Sequence, residues 1–147
     1  MRWFKLAWSM VWIAGAARLA AADANPECNY LEIAASTASS ASVDPDLKPL
    51  EKKLKKPPFA SWNAFHKLSG GALVLVKLRP EALMLARGAA TVVLRDRNDK
   101  RIEIAIAIDS SEGTRVLDTK QSVALGDWSV WVHNVKDEGH IVALTCK

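Results

Sequence analysis

"RIEIAIAID" (residues 101–109) sets isoleucine at 102, 104, 106 and 108 and alternates it with Glu103, Ala105 and Ala107. A period of two sends all four isoleucines to one side of an extended chain, the pattern of a strand with one face in a core. At helical pitch the same side chains would scatter around the axis. The opposite face is thin, because Ala105 and Ala107 carry only methyl groups, so a further element is expected to lie close over it.

Similar segments extend in both directions. "ATVVLRDR" (90–97) precedes the isoleucine strand across "NDK", a good hairpin turn. "RVLDTKQSVA" (115–124) follows, then Gly126-Asp127, "WSVWVHNV" (128–135), the turn "KDEG", and "HIVALTCK" (140–147). Upstream lie "NYLEIAAS" (29–36), "ALVLVKL" (72–78) and "EALMLA" (81–86), the last two split by Arg79-Pro80. About eight strands at this regular spacing predict a mostly β domain, an antiparallel β-sandwich or small barrel.

One short amphipathic helix is expected in "DLKPLEKKLKKPP" (46–58). At 100° per residue Leu47, Leu50 and Leu54 fall within about 60° of one another, and the lysines spread over the far side. Asp44 or Asp46 can cap the start, Glu51 can pair with Lys55, and Pro57-Pro58 ends the helix. Before it, "STASSASVD" (36–44) is small and polar and reads as a flexible connector. After it, "FASWNAFHKLSGG" (59–71) fits helix through Phe59, Trp62 and Phe65, and strand through Trp62, Ala64, His66 and Leu68. Periodicity leaves both open in so short a run.

The chain has 147 residues, of which half are hydrophobic and 24% charged, enough for one globular domain. Residues 1–24 stand apart. Arg2 and Lys5 precede an apolar run from Leu6 to Ala17, followed by small residues ending in "ADA" (22–24). This is the pattern of a secretory signal peptide, cleaved after Ala22 or Ala24 and leaving 25–147 as the mature domain. The run is short for an uncleaved membrane anchor, which needs about 20 residues. Glu27 before Cys28 does not suit a lipid-modified cysteine. Without residues 1–24 the net charge drops from +4 to +2, so nucleic acid is not an expected partner.

Export gives a meaning to Cys28 and Cys146, the only cysteines. In an oxidising compartment a disulfide between them is expected, tying the first strand to the last.

Catalytic motifs are lacking. Serines are plentiful, but none stands in a nucleophile elbow, and "SGGA" (69–72) is no phosphate loop. His66, His133 and His140 are the possible bases; the last two flank a hairpin and, with a loop of either 2 or 4 residues drawn within "KDEG", are not directly opposed. The acid pairs Asp96/Asp99 and Asp137/Glu138 lie in turns, where carboxylates serve the backbone. Neither a metal site nor a cofactor is expected.

The stretch "VDPDLKPLEKKLKKPPFASWNAFHKLS" (43–69), followed by repeated strand pairs, resembles a group of small exported bacterial β-rich proteins without an assigned activity. The resemblance implies the order of elements and an envelope location, and it carries over no functional residue.

The expected function is therefore that of a non-catalytic envelope or secreted binding protein, periplasmic or extracellular. It would hold a protein or polysaccharide partner by a sheet edge or an aromatic patch at Trp62, Trp128 or Trp131. An alternative is peripheral attachment to an anionic surface, lipid or lipopolysaccharide, through Lys48, Lys52, Lys53, Lys55 and Lys56. A small hydrolase ranks third.

Overall fold

Nine strands and a short helical segment are formed by residues 25–147, the part of the chain that the computed structural model describes. The expected leader, residues 1–24, lies outside the described residues. The strands are β1 (Glu27–Ser36), β2 (Ser42–Val43), β3 (Ala64–Val74), β4 (Pro80–Leu83), β5 (Ala89–Arg97), β6 (Arg101–Asp109), β7 (Arg115–Ala124), β8 (Trp128–Val135) and β9 (Glu138–Cys146). They build two sheets, β2-β3-β1-β9-β8 and β4-β5-β6-β7, antiparallel throughout except for the β2–β3 pair. Neither sheet closes on itself, so of the two expected architectures the molecule adopts the sandwich rather than the barrel.

The isoleucine strand behaves as its alternation demands. Ile102, Ile104, Ile106 and Ile108 are at most 1% exposed and meet Tyr30, Trp131, Val142 and Leu144 of the facing sheet. Each such side chain contributes about 1.5–3 kcal/mol of hydrophobic stabilisation. The other side of β6 departs from expectation. Among the described residues no element lies over Ala105 and Ala107; the helical segment packs on the other sheet. The alanines are half-buried beside their cross-strand neighbours Thr91, Val93, Asp118 and Lys120.

A second apolar layer lies on the outer face of the five-stranded sheet. A 3-10 helix (Pro45–Leu50) runs directly into α1 (Glu51–Leu54), and the Asp44 side chain accepts the Asp46 N–H at 3.1 Å to cap it. Leu47, Leu50 and Leu54 are buried against Ile33, Ala35, Phe65 and Ile141, while the lysines face solvent. Glu51 pairs with Lys55 at 3.2 Å.

Three boundaries are set by the tertiary structure, the first left open by the sequence and the other two different from expectation. The 59–71 segment is both helix and strand: Phe59–Ser61 makes a 3-10 turn, and β3 begins at Ala64. β3 also runs through Gly70-Gly71 instead of starting after them, because Tyr30 pairs with Gly71 and lays its ring there; a Cβ on Gly71 would stand 2.9 Å from that ring. The hairpin between β8 and β9 turns on Lys136-Asp137 alone, with Lys136 in the left-handed region. That short turn sets His133 directly opposite His140. The connector 36–44 is tied at both ends: Asn63 bridges the N–H and C=O of Ala38 at 2.7 and 2.8 Å, and Ser42-Val43 pairs with Ala64-Phe65.

Cys28 and Cys146 form the disulfide, directly opposed on β1 and β9. Their neighbours Glu27 and Lys147 exchange both backbone hydrogen bonds, at 3.2 and 2.9 Å. The cysteines therefore occupy the closely spaced, non-hydrogen-bonded kind of pair, with Cα atoms 4.0 Å apart. Such a bond fits a non-reducing compartment. No helix among the described residues is long and apolar enough to cross a membrane.

Candidate functional site

Where β7 turns into β8, the lysine-faced helix comes alongside and leaves a groove of about 450 Å³. Lys53 from α1, Lys56 just beyond it and Arg101 at the start of β6 bring three cations to its walls, against one carboxylate, Asp127. Trp128 and Phe59 supply aromatic lining. Among the described residues neither Lys53 nor Lys56 is in an ion pair, whereas Lys55 is held by Glu51.

The polar groups around the groove are already oriented. Arg101 donates from Nε to the Ser122 hydroxyl at 2.8 Å and from Nη2 to the Ser122 carbonyl at 3.2 Å. Ser122 accepts there, which leaves its own O–H to donate elsewhere. The Gln121 carbonyl oxygen accepts the indole N–H of Trp131 at 2.9 Å, so the Gln121 amide N–H groups remain for a ligand. The whole is a concave surface of cations, donors and an aromatic edge.

A second cleft, about 360 Å³, opens at the other end of the β7–β8 edge, between the β6–β7 turn and the β8–β9 hairpin. His133, His140, Glu138, Glu112, Arg87 and Val135 line it. At its floor, Glu32 is wholly buried and takes four hydrogen bonds: from Ser69 Oγ at 2.7 Å, His140 Nε2 at 2.6 Å, and the N–H groups of Ala86 at 2.6 Å and Arg87 at 3.0 Å. Burial pushes the Glu32 carboxyl upward, but the hydrogen bonds from His140, Ser69, Ala86 and Arg87 outweigh it and hold the pKa at about 2. An ionised Glu32 can only accept, so His140 Nε2 carries the proton between them. Tyr30 adds a second clasp, its hydroxyl bonding both N–H and C=O of Met84 at 3.1 Å.

Glu32 and Tyr30 thus fasten the loop between β4 and β5 across the open end of the sandwich. His and Ser side chains converge here on one carboxylate: Ser69 gives its proton to Glu32, and His140 does the same. Glu138 is engaged with Arg87 at 3.6 Å. His133 meets His140 edge-on, ring centres 4.9 Å apart, and burial followed by that neighbour lowers its pKa. Among the described residues no group of three or more metal-ligating side chains converges.

The residues singled out from sequence separate cleanly. Trp131 is 6% exposed between the sheets and presents no surface to a partner. Trp62 is half-buried, donates its indole N–H to the Asp137 carbonyl at 3.1 Å and covers the β8–β9 hairpin. A Cβ on Gly139 would lie 2.7 Å from its ring. Trp128, on the opposite face of β8 from Trp131, lines the groove. All five lysines are exposed; Lys53 and Lys56 line the groove, whereas Lys48, Lys52 and Lys55 are not among its walls. The reading of the sequence did not single out Arg101, Gln121 and Ser122. Glu32 carried a usable signal, a charge in step with Cys28 and Tyr30 on the inward face of a strand. No family model matches the chain, and no curated protein or solved structure is significantly similar to it.

Proposed function

We propose that this is an exported, non-catalytic binding protein that holds an anionic macromolecule in the groove between the lysine-faced helix and the β7–β8 corner. The observation that carries the reading is the convergence of Lys53, Lys56 and Arg101 with Trp128 on one concave surface. Cations lower the free energy of an acidic partner through the local field, and a tryptophan supplies contact area at little entropic cost. The disulfide and the signal-peptide pattern of residues 1–24 support export together. The groups best suited to catalysis, Glu32, His140 and Ser69, are engaged with one another in holding a loop.

The reading merges two expectations that stood apart in the sequence, an aromatic binding patch and a lysine-rich surface. Membrane insertion by the helix is disfavoured, because Leu47, Leu50 and Leu54 are committed to the protein's own core. The test is retention of the purified, oxidised protein on immobilised dextran sulfate. The Lys53→Gln/Lys56→Gln variant should elute at clearly lower salt than the parent, and an unchanged elution point would refute the groove as the anionic site. Mass analysis of the exported fraction should find Asp23 or Asn25 at the front of the chain; an intact Met1 would refute cleavage.

A further inference from the structure

We infer that the groove's ligand is an acidic polysaccharide, a chain of uronate or similarly carboxylated sugars; this rests on the reading of the groove as the anionic site. Three kinds of lining point to that chemistry. Lys53, Lys56 and Arg101 offer three cations to the repeated carboxylates of a polymer. Trp128 offers an apolar aromatic surface, on which the C–H face of a sugar ring packs as a flat lipid headgroup layer does not.

The third kind is a pair of neutral donors. The Trp131 indole binds the Gln121 carbonyl oxygen at 2.9 Å, which leaves the amide N–H groups for ligand oxygens. The Arg101 guanidinium binds the Ser122 hydroxyl oxygen at 2.8 Å, which leaves its O–H to donate. Sugar hydroxyls and ring oxygens are the acceptors such donors suit. A ligand recognised by charge alone would use the exposed lysines without distinction. A ligand seated in the groove reads Lys53 and Lys56 and passes over Lys48, Lys52 and Lys55, which lie outside it.

The experiment is calorimetric titration of the purified, oxidised protein with polygalacturonate, with neutral dextran and with vesicles rich in phosphatidylglycerol. Polygalacturonate should bind and dextran should not. Lys53→Gln/Lys56→Gln should weaken the polygalacturonate complex about tenfold, each lysine contributing roughly half of that in free energy. Lys48→Gln/Lys52→Gln/Lys55→Gln should change it less than about twofold. All five positions are exposed, so the variants keep the fold. Equal losses from the two sets of variants, or vesicles bound more tightly than polygalacturonate, would overturn the ligand class and leave a general anionic surface. Absence of binding to both polygalacturonate and vesicles would overturn the anionic site itself.

Discussion

Replacing Glu32 by glutamine keeps the side chain's size and shape and changes only what it can accept. The carboxylate meets four donors: Ser69 and the Ala86 N–H at one oxygen, His140 and the Arg87 N–H at the other. An amide has one oxygen, so in either orientation its N–H2 faces a buried backbone N–H. One unsatisfied buried donor costs about 1–3 kcal/mol, and the charge-assisted character of the remaining bonds is lost as well. The lowered pKa of Glu32 expresses the same hydrogen bonds on another scale. A fall of the pKa from 4.5 to about 2 corresponds to about 3 kcal/mol of folding stability. Because the folded value lies below the unfolded one, this contribution is complete above pH 4.5 and disappears as the pH falls through about 2. Urea unfolding of the oxidised protein should therefore show Glu32→Gln less stable by about 3 kcal/mol at pH 7, and by less than about 1 kcal/mol at pH 2. A difference under about 1 kcal/mol at pH 7, or one that stays constant down to pH 2, would refute the clasp as described.

Other perturbations probe other layers. Serine at both Cys28 and Cys146 opens a bond spanning 118 residues of sequence, a loss of up to about 5 kcal/mol in the chain-entropy model. It should appear as a lower urea midpoint, equal to that of the reduced parent. Ile104→Ala removes a fully buried core side chain and should destabilise by about 2–5 kcal/mol, while Ala105→Ser on the uncovered face should stay within about 0.5 kcal/mol by the same assay. His133, half-buried beside His140, should titrate below an ordinary 6.5 when its imidazole is followed by NMR, and a value above 6.5 would contradict its placement.

The parts legible in advance were those whose causes are local. Alternation at Ile102–Ile108, the leucine stripe at 47, 50 and 54, and the Glu51–Lys55 pair each depend on neighbours within one element. The cysteine pair was legible because only one pairing exists. What escaped depends on registers between distant segments. His133 and His140 face each other because the turn falls on Lys136-Asp137, one residue earlier in register than a turn centred within "KDEG", whether of two residues or four. The groove was half visible: Lys53, Lys56 and Trp128 were each noted, but nothing in the linear order says that a helix will cross the corner between β7 and β8. Arg101 looked like a hairpin residue, and Ser122 like one serine among many. The cover expected over Ala105 and Ala107 was inferred from small side chains alone, which equally allow longer neighbours to shelter them.

β9 sits between β1 and β8 in the five-stranded sheet. During synthesis, everything up to Val135 can emerge while β1 still lacks one neighbour and β8 has none within that sheet. The interior of the five-stranded sheet is thus filled by a stretch that follows its other strands in the chain, so that sheet is complete only with Glu138–Cys146. Disrupting Glu138–Cys146 would remove an interior plank, and the damage would reach both neighbouring strands instead of fraying a margin.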